Sequence, residues 1–159
     1  MTKDSRDALE DNGDGSQLQV KLISLPCNLD DRGFLYQIYG TYDSDLPEIR
    51  RVYIVGNPSR GIIRGFHRHE HESKAYFVIS GSAKFVVIND VGSKATYTLS
   101  FRSPAILLIP PRHYHGWISL EDNTIVIGLS DKTLRQSETD DLREDPMKWG
   151  MDLWEVKDR

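Results

Sequence analysis

The chain has 159 residues, a formal net charge of −4 and one cysteine, Cys27. That length suggests a single domain that buries about two-thirds of the surface its unfolded chain exposes, and one cysteine excludes an internal disulfide. The mild acidity argues against nucleic acid or an anionic membrane as the main partner, no apolar run approaches the ~18 residues of a membrane span, and the first residues lack the basic-then-apolar layout of a secretion signal, so a cytoplasmic protein is expected.

Residues 1–16 (MTKDSRDALEDNGDGS) are polar and rich in Asp and Gly. They hold too little apolar surface to order themselves, and we read them as a disordered tail before a domain over 17–159. From Leu18 the pattern changes to short runs rich in Val, Ile, Tyr and Phe. These predict strands at 18–24, 33–39, 51–56, 62–68, 74–80, 83–89, 95–100, 105–109, 114–119 and 123–129. Ser80-Gly81 and Asn89-Asp90-Val91-Gly92 mark turns. No segment between Leu18 and Ser130 repeats its apolar residues at a helical period. Many short strands without helices between them give an all-β fold, an antiparallel jelly-roll barrel. After Ser130 the chain turns polar (SDKTLRQSETDDLREDP), which predicts a short helical or irregular segment before a closing stretch around Trp149–Trp154.

The histidines fall in two short segments, RGFHRHEH (64–71) and PPRHYHGW (110–117). On a strand His67 and His69 share a face, as do His113 and His115. A small barrel has room inside for one ligand, and the clusters allow two chemistries there. The first is a metal site of three imidazoles, His67, His69 and His115. The second is carbanion chemistry, with a neutral histidine as base and Lys74 stabilising the enolate. His71, between Glu70 and Glu72, reads as a solvated turn, and the acidic run Glu138–Glu144 as a solvated surface. Arg102 and Arg112 read as exposed and Cys27 as core. No Gly-rich phosphate loop or dinucleotide fingerprint is present, and proton transfer within one substrate needs no redox cofactor.

The frame His67-x-His69, then Lys74, then Gly81, followed by Pro110 and His115, resembles the two motifs of the cupin superfamily. Lys74 stands where those proteins place a metal-binding Glu. Lysine offers no lone pair unless deprotonated, so no metal is expected. The segments DDRGFLYQIY (30–39), RRVYIV (50–55), GIIRGFHRHE (61–70), LLIPPRHYHGW (107–117) and LREDPMKWGMDLW (142–154) sharpen the likeness. Across residues 18–155 the chain resembles the cupin sugar-nucleotide isomerases: the dTDP-4-dehydrorhamnose 3,5-epimerases and the dTDP-sugar 3,4-ketoisomerases.

The resemblance implies a dTDP-linked 4-keto-6-deoxyhexose as substrate and a homodimer in which residues 18–24 add to the neighbour's sheet. It implies His67 as the base, Asp145 as the carboxylate orienting it, Lys74 as the active-site lysine and Arg64 on the diphosphate. His115 lines the pocket, and Trp117 packs on the substrate or in the core. One departure bears on the reaction. The epimerases place a tyrosine acid where this chain has Gly128; Tyr76 and Tyr53 are the candidate replacements, with barrel packing as the other reading of each. The ketoisomerases carry Arg-Gly-x-His-x-His, matched here from Arg64 to His69, and in them a histidine pair, here His67 and His69, shuttles the proton on one face. The C-terminal Asp145-Pro146 and Gly150–Trp154 tilt the expectation towards an epimerase, with altered regiochemistry such as action at C3 only. From other classes, a metal-dependent cupin dioxygenase and a non-catalytic sugar-binding barrel remain open.

Overall fold

Residues 19–40 and 47–156 are described in the computed structural model; the tail expected over 1–16 lies outside them. The chain runs β1 (Lys21–Ser24), β2 (Asn28–Asp30), β3 (Gly33–Leu35), β4 (Arg51–Asn57), β5 (Ile63–Arg68), β6 (Lys74–Ser80) and β7 (Ser82–Ile88). It continues with β8 (Lys94–Ser100), β9 (Ala105–Ile109), β10 (Tyr114–Ser119), β11 (Thr124–Ser130), α1 (Leu134–Thr139), β12 (Leu142–Arg143) and a 3-10 turn (Met151–Leu153). Antiparallel pairing builds one sheet in the order β1-β9-β6-β11-β4 and a second in the order β12-β5-β10-β7-β8, with β2-β3 as a separate hairpin. This is the expected jelly roll. No helix among the described residues is long and apolar enough to cross a membrane.

Side-chain alternation decides what each face meets. Tyr76, Val78, Ala83, Phe85, Val87, Leu99, Leu107, Ile109, Trp117 and Val126 point between the sheets and form the interior cluster. The opposite parity of β6 and β9 puts Ala75, Phe77, Ile106 and Leu108 on the outer face of the first sheet, with Leu25, Ile38, Tyr39 and Ile49 packed there. On the outer face of the second sheet, Phe66, Val86, Ile88 and Ile118 are covered by Trp149, Leu153 and Trp154. Both faces of β6 and β7 are therefore buried, which is why those strands read as continuous apolar runs.

Two expectations need correcting. The strand predicted over 33–39 shortens to Gly33–Leu35, because its partner in the hairpin is only three residues long. Cys27, expected in the core, is exposed, since the hairpin segment stands outside both sheets. The polar run after Ser130 holds the short helical segment expected of it. Thr133 and Gln136 close a capping box at the start of α1. The Asp140 carboxylate accepts from the backbone N–H groups of Glu70 and His71 at 3.0 and 2.9 Å. β12 then pairs with the end of β5, with Arg143 opposite His67.

β5 and β10 approach closely because two glycines meet. A Cβ on Gly116 would lie 2.6 Å from the Arg64 carbonyl oxygen, and one on Gly65, whose φ is +114°, 2.7 Å from the Gly116 Cα. The pairing slips between His115 and Trp117 at this point, so the crossing sets which side chains of β5 turn inward. Gly116→Ala is expected to destabilise the fold by about 2–3 kcal/mol, read as a lowered urea midpoint with an unchanged m-value.

Candidate active site

The inward residues of the first sheet line up in two transverse rows. Arg51 pairs with Ser130, and Ser130 with Lys74, in the strand register. Two residues further in, Tyr53 pairs with Gly128, and Gly128 with Tyr76. Opposite them, the second sheet places His67 directly across from His115. These registers bring together side chains that lie up to 79 positions apart in sequence, from Arg51 to Ser130.

A hydrogen-bonded chain runs across the interior. The His115 Nδ1 lies 2.9 Å from the His113 carbonyl oxygen, which makes Nδ1 the protonated nitrogen of a neutral ring and Nε2 its acceptor. That Nε2 meets the Tyr76 hydroxyl at 3.0 Å and the His67 Nε2 at 3.1 Å. The Lys74 Nζ approaches the same His67 nitrogen at 3.3 Å. At the other end, the Tyr53 hydroxyl donates to the Tyr76 hydroxyl at 3.4 Å.

Burial sets the charges. Burial first, and the Lys74 ammonium second, hold the His67 imidazole down to about 3. His115 lies well below its ordinary value, by burial and then by the fields of His67 and Lys74. Burial also lowers Lys74 to about 8, opposed by the Glu72 carboxylate. Both imidazoles are thus neutral near pH 7, while Lys74 keeps most of its charge. Burial pushes the hydroxyls of Tyr53 and Tyr76 up, so both stay protonated as donors.

His69 is placed differently from the shuttle expected of it. Its ring is buried edge-on against His67, with centroids 5.3 Å apart. Its Nδ1 lies 3.1 Å from the Glu72 carboxylate and its Nε2 3.8 Å from Asp141. The imidazole that shares a hydrogen bond with His67 is His115. Among the described residues, no group of three or more His, Cys, Asp or Glu side chains is arranged to hold a metal ion. The ring nitrogens of His69 face carboxylates, and the His67 Nε2 faces Lys74 and His115.

The expectation for Asp145 also needs correcting. Its carboxylate is exposed and closes its own turn, accepting from the Met147 N–H at 2.8 Å. The next residue, Pro146, accepts from the Trp154 indole at 2.8 Å. This segment anchors the cover of the second sheet. The carboxylate whose field raises the basicity of His67 is Asp141. Trp117 is interior core, stacked on Phe85. Arg64 stays exposed and reaches from β5 to β4, donating to the Asn57 side chain at 2.7 Å and the Gly56 carbonyl at 3.1 Å.

Sequence reasoning passed over Glu72, Arg51, Ser130 and Asp141. Glu72 was read as part of a solvated turn, yet it is buried and accepts from Ser130 at 2.6 Å and Arg51 at 3.0 Å. Its signal was parity with Lys74, two residues on. Tyr53 gains its place from a missing side chain. A Cβ on Gly128 would fall 2.3–2.6 Å from the Tyr53 ring and hydroxyl, so the phenol occupies the room that any larger residue at 128 would need.

Because His67 drops from 6.5 to about 3 on folding, the unfolded chain binds its proton in that window and the folded chain does not. Stability therefore falls as pH drops from 6.5 towards 3. His67→Asn is expected to flatten this fall, measured by urea midpoints across that range. In the wild type, the His67 ring resonances are expected to stay at their neutral positions at pH 5.5 by NMR.

With this geometry in hand, the relatives are informative. Residues 18–147 match the family described as FdtA: WxcM-like, C-terminal. The spore coat polysaccharide biosynthesis protein SpsL of Bacillus subtilis (strain 168) is 30% identical over 115 residues, covering 68% of this chain and 75% of the relative. Among solved structures, a double mutant of the QdtA 3,4-ketoisomerase from Thermoanaerobacterium thermosaccharolyticum, in complex with TDP, is 25% identical with a TM-score of 0.68. That match covers 80% of this chain and 89% of the ketoisomerase. The dTDP-4-dehydrorhamnose 3,5-epimerase of Bacillus anthracis str. Ames, with TDP and PPi bound, shares the fold at 23% identity and a TM-score of 0.69. It covers 78% of this chain, which covers 77% of it. The expected kinship with the cupin sugar-nucleotide isomerases is borne out, and the chain belongs to the FdtA: WxcM-like, C-terminal family.

Proposed function

We propose that the chain isomerises a dTDP-linked 4-keto-6-deoxyhexose by moving the ketone from C4 to C3, with His67 as the base. The observation that carries this reading is the pair of imidazoles, His67 and His115, with their Nε2 atoms 3.1 Å apart and the Lys74 Nζ 3.3 Å from that of His67.

The reaction breaks the C3–H bond and sends its electron pair to O4 as an enolate. O4 then takes a proton to give an enediol, O3 gives up its proton, and C4 receives one. Every proton and electron stays within the substrate and its proton donors, so no oxidant is consumed. Lys74 suits the developing O4 anion, acting as an oxyanion hole does. As that anion forms, it cancels the ammonium field that held His67 low. The imidazole gains proton affinity as the proton reaches it. The hydroxyls of Tyr53 and Tyr76, linked at 3.4 Å, supply donors for the oxygen-to-oxygen proton. Arg64 is exposed where it bridges β5 to β4, and its planar guanidinium suits a diphosphate.

One observation favours ketone migration over 3,5-epimerisation. The C-terminal features that tilted the sequence towards an epimerase, Asp145-Pro146 and the segment to Trp154, serve the cover of the second sheet. The likeness to a ketoisomerase holding TDP supports the nucleotide. A homodimer is part of this reading, supported by Leu22 on β1 and by Val52 and Ile54 on β4, which are exposed on the two edge strands of one sheet.

Incubation with dTDP-4-keto-6-deoxyglucose in heavy water, followed by NMR, tests the proposal. The expected product has its ketone at C3 and no deuterium at C5. A ketone that stays at C4 with deuterium at C3, with or without C5, overturns ketone migration in favour of an epimerase. His67→Asn is expected to lower turnover by about 100-fold or more.

A further inference from the structure

Glu72 has no place in the chemistry above, yet one of its oxygens takes two side-chain hydrogen bonds. It is buried. Its Oε1 takes the Ser130 hydroxyl at 2.6 Å and the Arg51 guanidinium at 3.0 Å, and lies 3.8 Å from the Lys74 ammonium. Its Oε2 lies 3.1 Å from the His69 Nδ1, at ion-pair distance without a hydrogen bond. Arg51 is itself tied to α1 by a 2.9 Å bond to Ser137. One carboxylate therefore joins the Arg51, Ser130 and Lys74 row of the first sheet to the histidine that backs His67.

We propose that Glu72 is a positioning residue: its carboxylate, held by Arg51 and Ser130, places Lys74 and His69 around His67. The inference rests on the function proposed above and deepens it. Neither Oε atom contacts the His67 ring in the hydrogen-bond network, so Glu72 acts through its two neighbours. The groups facing Lys74 are few. Arg51 from β4, Arg143 from β12 and the buried surroundings disfavour its charge, while Glu72 and Asp141 favour it. Of those two carboxylates Glu72 exerts the larger effect, and Asp141 is already paired with Arg143 at 2.7 Å. Removing the Glu72 charge leaves Lys74 in the field of Arg51 and Arg143 with its main counter-ion gone.

The test compares Glu72→Gln with Glu72→Asp. The first keeps the shape and removes the charge; the second keeps the charge and withdraws it from His69. The first readout needs no substrate: the titration of the Lys74 Nζ followed by nitrogen NMR. Glu72→Gln is expected to move that titration below the wild-type position of about 8, and Glu72→Asp to leave it closer to wild type. The second readout is turnover. Both variants are expected to lose about tenfold or more in kcat with little change in KM, and the alkaline limb of the kcat profile is expected to shift downward only in Glu72→Gln. A Lys74 titration unmoved by Glu72→Gln overturns the proposal, as does wild-type kcat in either variant. Should Glu72→Gln not fold, Glu72→Asp decides alone: a loss of kcat with the limb in place supports positioning, and an unchanged kcat refutes it. Failure of the parent reading shows separately, as a wild-type protein that moves no ketone while the Lys74 titration still answers to Glu72.

Discussion

An ammonium group enclosed in an apolar barrel governs this site. Lys74 is only 5% exposed, and an unpaired charge at that depth costs several kcal/mol. Its neighbourhood offers partial compensation. Glu72 lies 3.8 Å away but also serves Arg51, and Asp141 is engaged by Arg143. Two cations thus share one carboxylate, leaving a local excess of positive charge. Burial first, and that excess second, keep His67 and His115 neutral. A base that is neutral at rest, beside a cation short of an anion, is suited to a reaction that generates an anion at that spot.

Backbone geometry makes this arrangement repeatable. The Gly65–Gly116 contact lets β5 and β10 cross at a separation that any side chain would prevent, and the slip in register beside it sets His67 opposite His115. Gly128 does the equivalent on the first sheet, where an absent side chain admits the Tyr53 ring towards Tyr76. At each place a glycine serves by what it leaves out. The phenol and the imidazoles are then carried on strands within sheets, where hydrogen-bonded ladders hold them more firmly than loops would.

Much of the architecture was legible because alternation and turn residues are local signals. Eight of the predicted strands, from 51–56 onward, fall within a residue or so of β4 to β11. His67, Lys74 and His115 could be picked out because their spacing follows a motif. What escaped depended on distance through space. Glu72 sits in an HEHE run that looks solvated, and only the fold of β4, β11 and α1 over it brings Arg51, Ser130 and Ser137 to close the lid. Asp140 and Asp141 belong to an acidic stretch whose partners, the Glu70 and His71 amides and His69, are about 70 residues away. Asp145 misled for the opposite reason. Its local motif with Pro146 was real, but it serves the packing of Trp154 on the outer face of the second sheet. A motif identifies the chain segment, and the register decides which face of the barrel receives it.

The Glu-to-Lys exchange that set this chain apart from metal-binding cupins is not a single-site change. Restoring the carboxylate by Lys74→Glu would put it beside Glu72, which already sits within 3.8 Å of the Lys74 ammonium. Two buried carboxylates that close cannot both ionise. His69, whose nitrogens face Glu72 and Asp141, would also have to turn to offer a lone pair to an ion. A metal site would need Glu72 removed, His69 rotated and Arg51 given a new partner. The buried carboxylate two residues before Lys74, as much as the lysine itself, thus separates this barrel from a metal-binding one.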